Sequence, residues 1–175
     1  MHSFTDLIDR STAFTLGALT EASHCASDAL DSSAMTSLVK TLQMIRLQKV
    51  ILAVGMFSIF EAALQRGLDC KDGFKQASDL LEQSGELALK KIFVDLQLAI
   101  NVLKHGHGRS YNELVKKVGD LDFVVKMPGD KFFSEGDVSE ITTLIEVDDK
   151  FVQLCAEIIR DVSSAVRYVR PDFIT

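Results

Sequence analysis

Residues 50–60 read VILAVGMFSIF, the most apolar stretch of the chain. This stretch has 11 residues between Lys49 and Glu61, whereas a helix that crosses a bilayer needs about 20. We therefore expect no membrane span and no membrane partner. Apolar side chains would cover nearly every side of a helix here, which is typical of the central helix of a core or of an oligomer. The stretch predicts the middle of a long helix over about residues 34–66.

Helical periodicity extends outward from this central helix in both directions. Apolar residues at helical spacing predict helices over residues 4–30, 72–83 and 85–105. A last helix is predicted to begin at Asp148 and Asp149, whose carboxylates suit a positive helix N-terminus, and to end at Pro171.

Between residues 121 and 147 the pattern changes from helical to strand-like. DFVVKM at 122–127 and ITTLIEV at 141–147 are rich in β-branched residues, with a Pro-Gly turn signal after the first. The predicted fold class is therefore all-α: an up-down helical bundle of about four long helices, with short accessory helices and a small β-hairpin excursion near 121–147. One accessory helix is expected to begin at Ser110, because SYNE over 110–113 has the pattern of a capping box.

Composition and charge exclude several classes of protein. The chain has 175 residues, of which 47% are apolar and 25% charged, as in globular proteins. Its net charge of −6 disfavours a wide basic face for duplex DNA. Cys25, Cys70 and Cys155 lie far apart without a CxxC pair, which favours free thiols in a reducing compartment. The N-terminus lacks the pattern of a secretion signal, and we expect a cytoplasmic protein.

The fourth helix ends in the sequence KHGHGRS at residues 104–110. Gln97, Asn101, Lys104 and His105 are spaced to share one polar stripe on this helix. Between residues 104 and 117 the chain carries four Lys or Arg residues and one acid, which predicts a local positive patch.

These residue types limit the chemistry of the patch. His105 and His107 alone are too few for zinc, which takes three or four protein ligands, and no HExxH motif occurs. No Gly-rich phosphate loop or GxSxG motif occurs either. We therefore predict neither a metal nor another cofactor.

Metal-independent acid–base chemistry on RNA remains. It needs a group to take the 2′-hydroxyl proton and cations to stabilise the phosphorane. His105 and Asn101 are the catalytic candidates, since Asn101 precedes the imidazole by one turn and could orient it. The candidate ligand-binding residues are Lys104, His107, Arg109 and Ser110. The same residues also suit an ordinary helix end, because Lys and His complement the helix dipole and Gly commonly follows a helix.

The order of these elements is similar to that of a known superfamily. A long helix ending FEAALQRG is followed by a helix ending NVLKHGHG, a strand-like excursion and a last amphipathic helix. Over roughly residues 34–169 this order resembles the HEPN superfamily (higher eukaryotes and prokaryotes nucleotide-binding). Its members are small all-α bundles, commonly homodimers, and many are metal-independent ribonucleases of toxin–antitoxin and defence systems. The resemblance implies one HEPN-like helical-bundle domain over residues 1–175.

The resemblance also implies a composite site at a dimer axis. In the family an arginine precedes a histidine by four to six residues, with a polar residue between them. His105 and Asn101 match the histidine and the polar residue, but positions 99 and 100 are Ala99 and Ile100. The expected function is a homodimeric module that binds RNA or a nucleotide in a basic cleft, with weak or lost nuclease activity. Alternatives are a metal-independent toxin or defence ribonuclease and a non-catalytic protein-interaction partner.

Overall fold

The described part of the chain is almost entirely helical. The computed structural model describes residues 4–32, 35–131 and 138–173. Its α-helices are α1 (Phe4–Ser32), α2 (Thr36–Leu68), α3 (Gly73–Gln83), α4 (Leu87–His105), α5 (Arg109–Val115) and α6 (Asp149–Val169). A 3₁₀ turn covers Val118–Asp120. The predicted all-α class is confirmed, and the predicted helix boundaries agree with the observed ones to within two residues.

Helix α2 is the central helix of the bundle, as its apolar sequence predicts. It contacts α1, α3, α4 and α6. Its Phe57 and Phe60 are fully buried and pack against Phe74 of α3 and Phe93 of α4. The rings of Phe74 and Phe93 meet edge to face at 5.5 Å, an arrangement that aromatic pairs prefer.

One face of α2 nevertheless remains open, so the expectation that this helix is covered on every side is only partly correct. Its exposed apolar residues are Met44, Leu47, Ile51 and Ile59, each about half exposed. Within the described residues α2 is also the one helix long and apolar enough to cross a bilayer, and 39% of its most apolar 18-residue window is buried. The core helix of a bundle can also be this long and this apolar. The packing of α2 against four other helices is the packing of such a core helix.

Side-chain contacts establish the relative direction of α1 and α2 and join α2 to the start of α6. Near the start of α1, Phe4 stacks on Phe60 at 6.3 Å. Farther along, the Thr12 hydroxyl lies 3.2 Å from the Met56 sulfur, so α1 and α2 run antiparallel. At the other end of the bundle, Lys49 of α2 pairs with Asp149 of α6 at 2.7 Å. The helices therefore pack as a bundle, with an aromatic contact near one end and an ion pair near the other.

The predicted β-hairpin is wrong for the residues that the structure describes; residues 132–137 lie outside them. Only an isolated antiparallel bridge joins Val125 and Ile145, through backbone hydrogen bonds of 2.8 and 3.0 Å. Val125 and Ile145 are buried against the helices, so packing accounts for their apolar character without a ladder. Pro128, which has no N–H to donate, follows soon after the bridge and limits further pairing.

Candidate functional site

The C-terminal half of α4 separates core residues from polar ones. Leu96, Ala99 and Ile100 are buried in the core, while Asn101, Lys104 and His105 are exposed. This division follows the helical period of 3.6 residues.

The helix ends at a glycine with a positive φ. Gly106 has φ 72° and donates its N–H to the Val102 carbonyl at 2.8 Å. A residue with a side chain rarely adopts this φ, so Gly106 is the residue that turns the chain. After it, α5 begins at Arg109 with Gly108 at the N-cap position and no side-chain capping bond. The predicted capping box at Ser110 is therefore wrong: Ser110 lies inside the first turn of α5.

Most of the predicted site residues meet around one depression, which we call the His105 depression. It has a volume of about 390 Å³. Its lining residues are Asn101, His105, Gly106, His107, Gly108, Arg109 and Ser110. Two imidazoles and a guanidinium are thus brought together with no carboxylate among the lining residues. Such a surface suits an anion.

Lys104 lies apart from the other candidates, in a neighbouring cleft that we call the Lys104 groove. This groove has a volume of about 280 Å³ and separates α4 from α2 and α3. Its polar lining residues are Ser58, Glu61, Asp72, Lys75, Gln97, Asn101 and Lys104. Asn101 lines both concavities, so the two form one polar band along the end of α4.

Gln97 is a site residue whose role the sequence did not indicate. Its Nε2 atom is buried and has no hydrogen-bond partner among the residues that the structure describes, although it lies in a groove with polar walls. A buried amide donor without a partner costs free energy unless water or a ligand accepts from it. The polar stripe predicted from spacing includes Gln97, but nothing in the sequence showed that its amide would be buried.

His107 packs against Tyr111, a second site residue that the sequence did not indicate. The two rings meet edge-on with centroids 4.8 Å apart. Tyr111 is buried, and its hydroxyl donates to the Lys126 carbonyl at 2.7 Å. Burial, and secondarily the negative charge of Asp130, raise the pKa of the Tyr111 phenol. Tyr111 is therefore uncharged, and its fixed ring provides the surface against which His107 packs.

The positive patch is smaller than the count of basic residues suggested. Lys116 pairs with Glu113 at 2.8 Å, and this lysine is the main reason that the pKa of the Glu113 carboxyl is lowered. Lys117 forms an ion pair with the buried carboxylate of Asp95. Two of the four cations between residues 104 and 117 are thus engaged by carboxylates, and Lys104 and Arg109 carry the patch.

The arrangement supplies cations more clearly than a catalytic pair. Within the described ranges the structure contains no hydrogen bond between the side chains of Asn101 and His105. Nor do those ranges hold a group of three or more His, Cys, Asp or Glu side chains that could hold a metal ion. The His105 depression can bind a phosphate group through Arg109 and the two imidazoles, whereas in the Lys104 groove Glu61 and Asp72 offset the charges of Lys104 and Lys75.

Comparison of the chain with family models, with curated proteins and with solved structures finds no match in any of the three.

Proposed function

We propose that this protein is a homodimeric HEPN-like module that binds RNA or a nucleotide through phosphate groups at the His105 depression. The observation that supports this most is the lining of the depression. Arg109, His105 and His107 face it without a carboxylate, in a chain whose net charge is −6. In such a chain an acid-free cluster of basic side chains favours a bound anion.

Arg109 is the main phosphate-binding residue in this proposal. A guanidinium offers two parallel N–H donors to phosphate oxygens, which a lysine or an imidazole cannot do. The Ser110 hydroxyl is adjacent and can donate to the same phosphate. Lys104 and the buried Gln97 amide extend the surface along the Lys104 groove toward a base, whose donor groups the carboxylates of Glu61 and Asp72 can accept.

The open face of α2 supports the homodimer. Ile51 is 54% exposed and lies seven residues, or about two helical turns, before Ser58. Ser58 lines the Lys104 groove, so the apolar face of α2 continues into the polar band of α4. A second copy that covers Ile51 would bring the Lys104 grooves of the two copies toward each other. The toxin–antitoxin setting of the resembling family stays part of this proposal.

Binding, rather than efficient cleavage, is the activity that we propose. Ala99 and Ile100 stand at the positions of the family arginine and are buried, 0% and 4% exposed. A side chain at either position would point into the core and not into the depression. Arg109 follows His105 in the chain, whereas the family arginine precedes the histidine. In addition, within the described part of the chain the Asn101 side chain makes no hydrogen bond that would orient the His105 ring.

The proposal places the protein in the cytoplasm. The packing of α2 against four helices favours a core helix over a membrane span. Cys25 is exposed and unpaired, which suits a reducing compartment.

The test is binding of a labelled single-stranded RNA oligonucleotide, measured by fluorescence anisotropy in excess chelator. We expect Arg109→Ala to weaken binding about tenfold and to reduce the slope of log K against log salt by about 0.7, because one phosphate contact is lost. Lys150→Ala is the matched control: it removes an exposed positive charge on α6, which lines neither concavity. Equal affinity of the wild type and Arg109→Ala would contradict the proposal.

The same samples, run on a denaturing gel, address the ribonuclease alternative. Both His105 and Arg109 line one depression, which is the observation that favours it. Cleavage in chelator that is lost in His105→Ala would establish the ribonuclease. Binding without cleavage would support the proposal made here.

A further inference from the structure

A third concavity lies between α1 and α6, and we call it the α1–α6 groove. Its volume is about 750 Å³. It shares no lining residue with the His105 depression or the Lys104 groove. Nothing in the proposed nucleotide-binding function uses this groove, so its occupant is a separate question.

Two polar contacts mark the length of the α1–α6 groove. At one end Asp9 lies 3.6 Å from Arg160. At the other end the Thr20 hydroxyl donates to Asp149 at 3.4 Å. These contacts show that α1 and α6 run antiparallel. They are separated by eleven residues on each helix, which corresponds to a groove about 16 Å or three helical turns long.

The surface between these contacts combines several small residues with Leu16 of α1 and Gln153 of α6. Ala13 and Gly17 of α1 and Ala156 of α6 line the groove. A Cβ added at Gly17 would meet no atom within 4 Å, so the space above this residue is open. Small residues on two neighbouring helices let the backbone of a third helix approach closely.

The rim of the groove is acidic. Asp9, Glu21, Asp149 and Glu157 contribute four carboxylates, whereas the basic lining residues are Arg160 and His24. Asp9 and Asp149 are paired with Arg160 and Lys49. Glu21 and Glu157 have no basic partner among the residues that the structure describes. The carboxylates of Glu21 and Glu157 can therefore pair with basic side chains of a binding partner.

We propose that the α1–α6 groove docks a basic amphipathic α-helix of a partner protein. Apolar side chains at i, i+3 or i+4, and i+7 of that helix would lie over Ala13, Gly17 and Ala156. Its Lys or Arg residues would pair with Glu21 and Glu157 at the rim. The elongated shape, the small-residue floor and the negative rim all match such a helix. An anionic membrane surface fits poorly, because the same carboxylates would repel it.

The test uses a fluorescein-labelled synthetic peptide of about 15 residues, long enough to form a helix on binding. Leu occupies the helical spacing given above and Lys fills the opposite face. Two control peptides have the same composition scrambled, or Glu in place of every Lys. We expect the basic amphipathic peptide to bind at least about tenfold more tightly than either control.

Variants of the protein locate the binding. Gly17→Leu fills the open space, and Glu21→Lys with Glu157→Lys reverses the free charges; each should weaken binding at least about tenfold. The matched control is Asp172→Lys, an exposed charge reversal outside the groove, which should leave the affinity within about twofold.

Three outcomes would overturn the proposal. The first is equal binding of the scrambled peptide, which would indicate non-specific attraction. The second is unchanged binding in Gly17→Leu, which would place the peptide elsewhere. The third is binding of a single-chain quaternary ammonium amphiphile, lost in Gly17→Leu, without binding of the peptide. That result would make the groove a small-molecule site instead.

Discussion

At the scale of single residues, the ion pair between Lys117 and Asp95 is a sharp test of the packing. Asp95 is 4% exposed, so its carboxylate depends on Lys117 for compensation. We expect Lys117→Met to lower the free energy of unfolding by about 1–3 kcal/mol, because it leaves a buried charge without a partner. Urea denaturation followed by circular dichroism measures the change.

The neighbouring lysine provides the control for this prediction. Lys116 pairs with Glu113 on the surface, and Lys116→Met should cost less than about 0.5 kcal/mol. The double variant Asp95→Leu with Lys117→Met should recover much of the loss, since neither charge then remains buried. Equal effects of the two single lysine variants would contradict the buried-pair account.

Single residues also show the limits of reading the site from sequence. Spacing along α4 correctly predicted that Asn101, Lys104 and His105 are exposed on one side of the helix. Spacing could not show that Lys104 lies in a different concavity from His105, because that depends on where α2 and α3 pack. The support of His107 by Tyr111 depends likewise on the turn at Gly106.

At the scale of elements, the junction of α3 with α2 depends on Gly73. A Cβ at this position would lie 2.8 Å from both the Glu61 carbonyl oxygen and the Leu64 Cβ. We expect Gly73→Ala to lower the free energy of unfolding by about 1–3 kcal/mol, since atoms of α2 cannot move aside cheaply. Thermal or urea denaturation would measure this loss.

A second glycine supplies the matched substitution. Gly17 lies inside α1 with open space around its Cβ position. Gly17→Ala should therefore raise the free energy of unfolding by about 0.5–1 kcal/mol, because alanine loses less conformational entropy in a helix. If both substitutions were stabilising, the close approach of α3 to α2 would be wrong.

Elements differ in how well their sequences predicted them. The bounds of α2 and α4 follow from helical periods that run for several turns and end at glycine, or near one. The β-hairpin predicted from residues 122–127 and 141–147 was wrong, since these segments share only one bridge and most of their apolar side chains pack on the helices instead. Alternation of residue types indicates which side is buried, and it does not indicate what covers that side.

At the scale of the whole molecule, the open face of α2 predicts self-association. Size-exclusion chromatography with light scattering should give a dimer mass for the wild type and a monomer mass for Ile51→Glu, because the substitution would bury a carboxylate in the interface. Tyr168→Glu is the control: Tyr168 is 87% exposed on α6 and should leave the dimer intact. A wild-type monomer at high micromolar concentration would contradict the homodimer.

The backbone at Val125 and Lys126 is connected to the polar band of α4 through the side chain of Tyr111. The Tyr111 hydroxyl holds the Lys126 carbonyl, one residue from the bridge between Val125 and Ile145, and the same ring supports His107. A substitution that displaced the Lys126 carbonyl would therefore be expected to move the Tyr111 ring and, with it, the surface against which His107 packs. Residues 125–126 and the histidine of the polar band thus share one side chain, although they lie far apart in the sequence.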